Sequence, residues 1–553
     1  MLALLFVASV ATGCHRRSTR AEPAPARSTE PVAAPVVAPK ELVAEGVLRR
    51  PQRVWTRLRA LFGERAAAAP STLPLTITTV AGLSPLVAGL VESDVPVRLA
   101  ALELDAAPEW IFGVAVTNGK EFLAATTNGA DATFTAEPDL AHAVTLLHSK
   151  AGRADVALGV AGNVLLLSPN PDALRLGGGY VARSAAMPAD GDDLELTVPR
   201  TALAGVISSS IDRFAVAERA ALEAADDANR RLHGGRAPDF GDPAAVIAAL
   251  SGASDEIRAL LESTARVHVR AALVEPPFRA RVDLEPEATG ATRAFTDALA
   301  SGDLSVVATL PATTEAAVVW RRSASFDPSA VLSRVRALFG DRLRDADVAR
   351  IASWVTDVDR GLGMVASLGV LNDERPEGFV LSPAGDGAAL CRATGSLVEI
   401  GAIPAIALPF RHFVGDARLS RSRGTLPGFE GAVTELRLRW SNQSGAPSPE
   451  AVCATSRAGK GALVVASGDA GPALSALLAE PRAASLGDDA IVGEILRRSH
   501  ARGVGALVVK LTDPAGALGT AALVAGVDAG SPWAELDAND VAARLLLAWC
   551  MVK

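Results

Sequence analysis

The sequence predicts an α+β fold: two tandem, diverged repeats of antiparallel sheet covered by helices, with an extra helical hairpin in the first repeat. Three observations lead to this prediction. One nine-residue word occurs twice, as RLRALFGER at 57–65 and RVRALFGDR at 334–342. Hairpin patterns alternate with single helical patterns, which favours antiparallel sheets over a doubly wound parallel sheet. Two further pairs of segments match in the same order along the chain.

The amino terminus contains an apolar segment, MLALLFVASVATGC, that ends in small residues and Cys14. It is too short to span about 30 Å of hydrocarbon as a helix, so it predicts an export signal over residues 1–13. The end ATGC resembles the lipobox of bacterial lipoproteins. That resemblance implies cleavage before Cys14 and attachment of lipid to Cys14. The alternative is an ordinary cleaved signal with an incidental cysteine.

Residues 14–45 predict a tether that follows the anchor. Much of this segment is rich in Pro and Ala with alternating charge, a composition that forms extended linkers and no packed core. Lipid chains on Cys14 would hold the protein on a membrane without crossing it. In the lipoproteins that this segment resembles, an Asp directly after the lipidated cysteine favours retention in the inner membrane. This chain has His15 at that position. The lipoprotein resemblance therefore implies the outer membrane, with the protein facing the periplasm or the cell surface.

Two repeats are predicted, over residues 46–325 and 326–553. In the first copy of the repeated word the apolar residues recur at helical spacing, which predicts a core-packing helix. Gly63 and Gly340 follow the two copies as expected C-terminal caps. The same pattern in both copies argues that the helix packs in each core and does not bind lipid.

Two other pairs of segments support the duplication. PEWIFGVAVTNGKEFLAAT at 108–126 and PEGFVLSPAGDGAALCRAT at 376–394 each predict a strand, a two-residue turn and a strand. GNVLLLSPNPDAL at 162–174 and GALVVASGDAGPAL at 461–474 each predict a strand followed by a short helix. Each repeat is expected to close on two strands and a helix.

An extra helical hairpin is predicted at about 201–263, in the first repeat only. Two helical patterns lie there, and the second opens with Asp242 and Pro243, which suit a cap and a first turn. The neighbouring GVAGNVLLLSPNPDAL and DLELTVP resemble a large group of uncharacterised exported bacterial proteins of unknown function. That resemblance implies no activity.

Composition and motifs exclude several functions. The chain has 553 residues and a net charge of -8, and no basic stripe is interleaved with aromatic residues, so we expect no nucleic-acid partner. No serine lies in a G-x-S-x-G turn, and no two of the seven histidines have the spacing of helical metal ligands. We therefore predict no catalytic residue, no metal ligand and no cofactor. The protein is not expected to be an enzyme.

Cys391 and Cys453 lie in strand-like patterns of the second repeat and can form one disulfide in an oxidising compartment. Unpaired buried thiols are the alternative. The favoured function is a non-catalytic scaffold or interaction module, lipid-anchored in the cell envelope, with an unknown envelope protein as partner. The alternative is a carrier that binds an apolar ligand between sheet and helices, and an unrecognised hydrolase ranks third. The oligomeric state stays open.

Overall fold

The computed structural model describes residues 35–66, 68–104, 107–128, 132–151, 156–185, 191–232, 254–322, 327–339, 343–371, 377–406, 418–424, 433–439, 450–456, 459–466, 470–478 and 484–551. Cys14 and most of the predicted tether lie outside these residues. Residues 42–45, which the composition assigns to the tether, form the start of the first strand. Among the described helices, none is both long enough and apolar enough to cross a membrane.

The strands of the described residues form one antiparallel sheet of 20 strands. In chain order, β1 to β20 are Leu42–Leu48, Val97–Leu104, Ala107–Ala115, Phe134–Asp139, Val144–Ser149, Ala157–Ala161, Val164–Ser168, Leu194–Pro199, Thr264–Ala272, Phe278–Pro286, Thr314–Arg321, Val365–Leu371, Glu377–Ser382, Arg418–Gly424, Val433–Arg439, Glu450–Thr455, Gly461–Ala466, Gly503–Thr512, Leu518–Asp528 and Ser531–Ala538.

The principal helices connect these strands. In chain order, α1 to α13 are Pro51–Phe62, Leu73–Val80, Gly119–Thr127, Pro171–Arg183, Ser208–Leu232, 254–262, Ala291–Ala298, Pro328–Phe339, Asp345–Leu362, Gly387–Gly401, Gly471–Leu478, Ala490–Arg498 and Asp540–Met551. This mixture of helices with a large antiparallel sheet confirms the predicted α+β class.

The strand order follows a simple pattern. From one edge to the other it is β4-β5-β6-β7-β3-β2-β1-β8-β9-β10-β20-β19-β18-β11-β12-β13-β17-β16-β15-β14. We call β1 to β10 the first half of the sheet and β11 to β20 the second half. Read inward from its own edge, each half has the same order, and the halves meet where β10 pairs with β20.

Successive residues of a strand point to opposite sides of the sheet. Apolar side chains therefore lie on both faces, and helices cover both. On one face of the first half, α2 and α3 pack on Leu99 of β2 and on its neighbours. On the other face, α4 packs on Leu102 of the same strand. In the second half, α11 and α12 cover the face that continues from α4 and enclose the largest core cluster, which includes Val319 and Phe379.

The helices of the repeated word form at the predicted places. In α1 the residues Val54, Trp55, Leu58 and Leu61 are buried, and Gly63 ends the helix with φ 53°. In α8 the partly buried Val331, Leu332 and Val335 pack in a cluster with α9 and α10. Gly340 lies outside the described residues.

The predicted strand–turn–strand segments at 108–126 and 376–394 are wrong in their second part. The residues after each turn form helices, α3 and α10. Asn118 Oδ1 accepts hydrogen bonds from the backbone N–H groups of Lys120 and Glu121 at 3.0 and 3.2 Å. Asp386 caps α10 by accepting from the backbone N–H of Ala389 at 3.1 Å. Cys391 therefore lies in a helix and not in a strand.

The predicted end of the second repeat is also wrong in one element. The hairpin predicted to close it is β18 and β19, and β20 follows before the final helix α13 begins. In the first half, β9 and β10 precede α7 directly, as the pattern predicts. The difference arises because SPWAELDA at 531–538 was not predicted as a strand.

The predicted hairpin at 201–263 is described in part. A helical turn, Arg200–Ala202, and a π-helical segment, Leu203–Ile207, lead into α5. Asp242 and Pro243, the predicted start of the second helix, lie outside the described residues. Arg258 of α6 pairs with Asp212 of α5 at 3.2 Å, so the two helices touch. We call α5 and α6 together the helical arm.

Candidate functional site

An apolar pocket of about 130 Å³ lies between the helices α1 and α2 and the first half of the sheet. The pocket is partly open to solvent. Its lining consists of Leu48, Pro51, Val54, Trp55, Leu58, Leu73, Thr76, Ile77, Val80, Val97, Leu99, Phe112, Val114, Leu167, Leu194 and Leu273.

Helix α1 supplies one wall of the pocket. It begins at Pro51, whose fixed φ suits the first turn of a helix. From there the 3.6-residue period brings Val54, Trp55 and Leu58 to one side. The indole Nε1–H of Trp55 donates to the backbone oxygen of Pro70 at 3.1 Å. Because that bond satisfies its polar atom within the wall, the ring presents apolar surface to the pocket.

Helix α2 supplies the second wall and is held to α1 by a side chain. Gln52 of α1 accepts a hydrogen bond from the backbone N–H of Leu73 at 2.8 Å, at the first residue of α2. Thr76 has a hydroxyl group facing the same region, and it donates to the Thr72 carbonyl at 2.9 Å. Thus the hydroxyl of the wall already has an acceptor inside its own helix.

The floor of the pocket is the face of β2 and β3 that α2 and α3 cover. Leu99 pairs with Phe112 in the register of these strands, and both side chains lie on that face. Leu99 is almost fully buried at 1% exposure. Leu167 of β7 extends the floor, since it pairs with Phe112 on the other side.

A buried carboxylate fixes the end of the pocket near β8 and β9. Asp193 is fully buried, and its Oδ2 accepts from the backbone N–H groups of Leu273 and Val274 at 2.7 and 2.9 Å. Arg50, just before α1, forms a salt bridge to the other oxygen at 2.5 Å. These contacts tie the start of α1 to the two lining residues Leu194 and Leu273.

A second ion pair lies on the strands beside this end. Arg49 contacts the carboxylate of Glu195 through both terminal nitrogens, at 3.0 and 3.1 Å. The Arg49 hydrogen bond is the main cause that holds the pKa of the Glu195 carboxyl below its ordinary value, against the opposing effect of burial. The pair stabilises the junction of β1 and β8 and takes no part in lining the pocket.

The pocket can bind but offers no reactive group. None of its lining side chains titrates near neutral pH, so the wall supplies no acid, base or metal ligand. Over the described residues, no group of three or more His, Cys, Asp or Glu could hold a metal ion. An apolar cavity of about 150 Å³ stays dry and binds benzene in another protein. The pocket suits an apolar group of that size or the end of a hydrocarbon chain.

The residues singled out from the sequence lie elsewhere. Cys14 is outside the described residues. Cys391 of α10 and Cys453 of β16 form a disulfide in the second half, with 5.3 Å between their Cα atoms. The lining residues were not predicted, because they come from segments between Leu48 and Leu273 that meet only in the fold. The apolar stripe of α1 was the one local signal.

The chain matches no protein family, and no curated protein or solved structure is significantly similar to it. The resemblances to lipoprotein signals and to exported proteins of unknown function stay predictions from the residues. A functional proposal therefore rests on the chemistry of the pocket.

Proposed function

We propose that this protein binds a small apolar ligand, or the apolar end of a larger one, in the pocket between α1, α2 and the sheet. It would act as a lipid-anchored carrier of the cell envelope. One observation carries the proposal: the pocket has room for a ligand, and its polar atoms on Trp55 and Thr76 are already bonded within the wall. Protein interiors are normally packed without such voids.

The envelope location rests on the sequence and on the cysteines. The apolar segment that ends at Cys14 supports export and lipid attachment, with the outer membrane as the proposed site. A disulfide between Cys391 and Cys453 fits an oxidising compartment such as the periplasm or the cell surface. The lipid anchor would be the contact with the membrane.

Native mass spectrometry tests the carrier with a matched pair of variants. Val80 lines the pocket and is half-buried, whereas the adjacent Thr79 is exposed and lies outside the lining. Val80→Phe places a ring in the pocket, and Thr79→Phe places the same ring on the outer side of α2. We expect wild-type protein and Thr79→Phe, taken gently from their own envelope, to carry an extra mass that Val80→Phe has lost. Equal extra mass on Val80→Phe, or none on the wild type, would overturn the proposal.

A thermal-shift measurement with benzene gives an independent readout. A ligand at 100 times its Kd stabilises the folded state by about 2.7 kcal/mol. Benzene should therefore raise the melting temperature of the wild type and of Thr79→Phe more than that of Val80→Phe. An identical shift in all three proteins would show that benzene acts outside the pocket.

The helical arm supports a second function, the scaffold or interaction module. Ser208 is buried at its start, but Phe214 and Val216 of α5 are 59% and 66% exposed, and Ile257 of α6 is 47% exposed. Phe214 and Val216 lie on different sides of α5, so the support for this function is that a segment missing from the β18–β19 connection adds exposed apolar groups to the first half. We propose an envelope protein as the partner.

Replacing residues 211–257 with a Gly/Ser linker tests the interaction module. The buried residues at the base of the arm are kept, so the shortened protein should unfold cooperatively and lose its crosslinked partner in cells. A broad, non-cooperative melt would show that the arm completes the core, and retained crosslinking would show that the partner binds elsewhere.

We also propose that the two halves are tandem, diverged repeats. Their strands follow the same order, α1 and α8 carry the repeated word at the same place, and the arm fills the connection between β8 and β9. The equivalent strands β18 and β19 are joined by residues 513–517 alone. Because β11 occupies the position of β1, the repeat boundary would precede residue 314 and not follow 325. Failure of the two sets of ten strands to superpose in an experimental structure would overturn the duplication.

A further inference from the structure

A second cavity, of about 200 Å³, lies on the sheet face opposite the apolar pocket, at the junction of β10 and β20. This is the place where the two halves of the sheet meet. Helix α12 and the residues that follow it cover the cavity. Its wall consists of Arg281, Ile495, Arg498, Ser499, Arg502, Trp533 and Glu535.

The wall contains three guanidinium groups and a single carboxylate. Glu535 accepts from Arg498 at 2.6 Å and lies 3.4 Å from a terminal nitrogen of Arg281. Arg279, outside the wall, approaches the same carboxylate at 3.7 Å. The charge of Glu535 is therefore shared among three cations, which reduces its repulsion of an entering anion.

The arginines of the wall retain donors for a ligand. Arg502 donates from one terminal nitrogen to Asp528 at 2.8 Å and from the other to the Arg498 carbonyl at 2.6 Å. A guanidinium group has five N–H donors, so these two bonds leave others available. Arg281 binds Asp283 through Nε and a terminal nitrogen at 2.8 and 2.7 Å, which leaves it one N–H on each terminal nitrogen, and its guanidinium lies 4.6 Å from the centroid of the Trp533 ring.

Arg498 is more fully engaged than the other two. Besides Glu535, it binds the buried carboxylate of Asp537 at 2.6 Å. It also binds the more exposed carboxylate of Glu494 at 3.2 Å. These bonds hold its guanidinium in place over β20. We therefore expect Arg498 to position Glu535 and expect Arg502 and Arg281 to contact the ligand.

Trp533 provides a second, independent observation. The side chain lies in the cavity wall with only 4% of the residue exposed. Within the part of the chain that the structure describes, its buried indole Nε1–H has no acceptor. A buried donor without a partner is uncommon in folded proteins, because water stabilises the unpaired group and the interior does not. An acceptor oxygen of a bound ligand would satisfy it.

We propose that this cavity at the β10–β20 junction binds a small oxyanion, a carboxylate or a phosphate group, through Arg502, Arg281 and the indole N–H of Trp533. Cationic forks and an N–H donor match the oxygen acceptors of both groups. The site lies on the other face from the apolar pocket and does not depend on the carrier function.

Isothermal titration of the detergent-solubilised full-length protein tests the site. The probes are inorganic phosphate and succinate, each in chloride buffer of the same ionic strength. Arg502→Gln removes a wall charge, and Arg497→Gln is the control, since Arg497 lies in the last turn of α12, has a side chain that is 73% exposed, and pairs with Glu494 outside the wall. We expect Arg497→Gln to bind like the wild type and Arg502→Gln to bind about tenfold more weakly, as for the loss of a charge-assisted hydrogen bond.

Trp533→Phe tests the indole N–H. Phenylalanine keeps a ring beside Arg281 but has no N–H, and the N–H bonds no described protein group. Because Trp533 also packs in the largest core cluster, the smaller ring should lower the melting temperature. At a temperature where the variant is fully folded, it should bind the anion several-fold more weakly than the wild type.

Binding of phosphate but not of succinate would identify the ligand as a phosphate group, and binding of succinate but not of phosphate would identify it as a carboxylate. Absence of binding by both probes would overturn the proposal. Equal losses of anion affinity in Arg502→Gln and Arg497→Gln would also overturn it, since the anion would then respond to general surface charge. Unchanged affinity in Trp533→Phe would overturn it as well.

Discussion

Removing the disulfide of the second half should lower its free energy of unfolding by about 4 kcal/mol. Cys391 and Cys453 are 62 residues apart in the sequence. The chain-entropy relation for a loop of that length gives about 14 cal/mol/K, or about 4.3 kcal/mol at 25 °C. Both cysteines are buried, at 7% and 0% exposure, and pack with Leu390 and Leu463. Replacing them with alanine therefore adds a small packing loss of roughly 1 kcal/mol.

The measurement is urea unfolding of the wild type and of the Cys391→Ala/Cys453→Ala double variant, followed by circular dichroism. Cys550→Ala is the control, because it removes a cysteine that is not in this disulfide. The double variant should unfold at clearly lower urea, and the control near the wild type. A thiol assay in denaturant without reductant should count neither Cys391 nor Cys453 in wild-type protein. Equal urea midpoints, or free thiols at both positions, would refute the reasoning.

Three further predictions follow from burial, charge and the amino terminus. Leu99→Ala should cost about 3 kcal/mol of stability in urea unfolding, and the enlarged pocket should let benzene recover part of that loss. Glu195→Gln should lower the melting temperature at pH 7. At pH 3 it should have little effect, because a carboxyl with a depressed folded-state pKa stabilises above its ordinary value of 4.5 and loses that contribution below it. Cys14→Ser should release the protein from membranes into the soluble fraction, whereas release of the wild type by a salt wash without detergent would contradict lipidation.

Periodicity predicted α1 well, because a helix is a local structure and its apolar stripe is written in consecutive residues. The segments after Asn118 and Asp386 were predicted wrongly for a physical reason. Asn and Asp followed by Gly favour tight hairpin turns, but the same side chains also cap helices by accepting backbone N–H groups. Which structure forms depends on the residues that follow and on the sheet they cover, and a pattern of two residues does not hold that information.

Strand β20 and the apolar pocket show where local patterns stop being informative. Ser531–Ala538 contains proline and acidic residues, which are uncommon in strands. Its carboxylates at 535 and 537 are stabilised by arginines of β10 and α12, and the β10 partners are distant in the sequence. The pocket has the same character, since its walls come from two helices and several strands. Among the described residues, the indole N–H of Trp533 has no acceptor. This, too, is a property of the assembled fold and is not visible in the local sequence.

The pairing of β10 with β20 sets an order of events during folding. Arg281 and Glu535, which face each other across this junction, are 254 residues apart in the chain. Until β20 docks, β10 has no neighbour on that side. An unpaired strand edge recruits other strands and invites aggregation or exchange of β20 between molecules. Refolding at high protein concentration should therefore favour dimers that have exchanged β20.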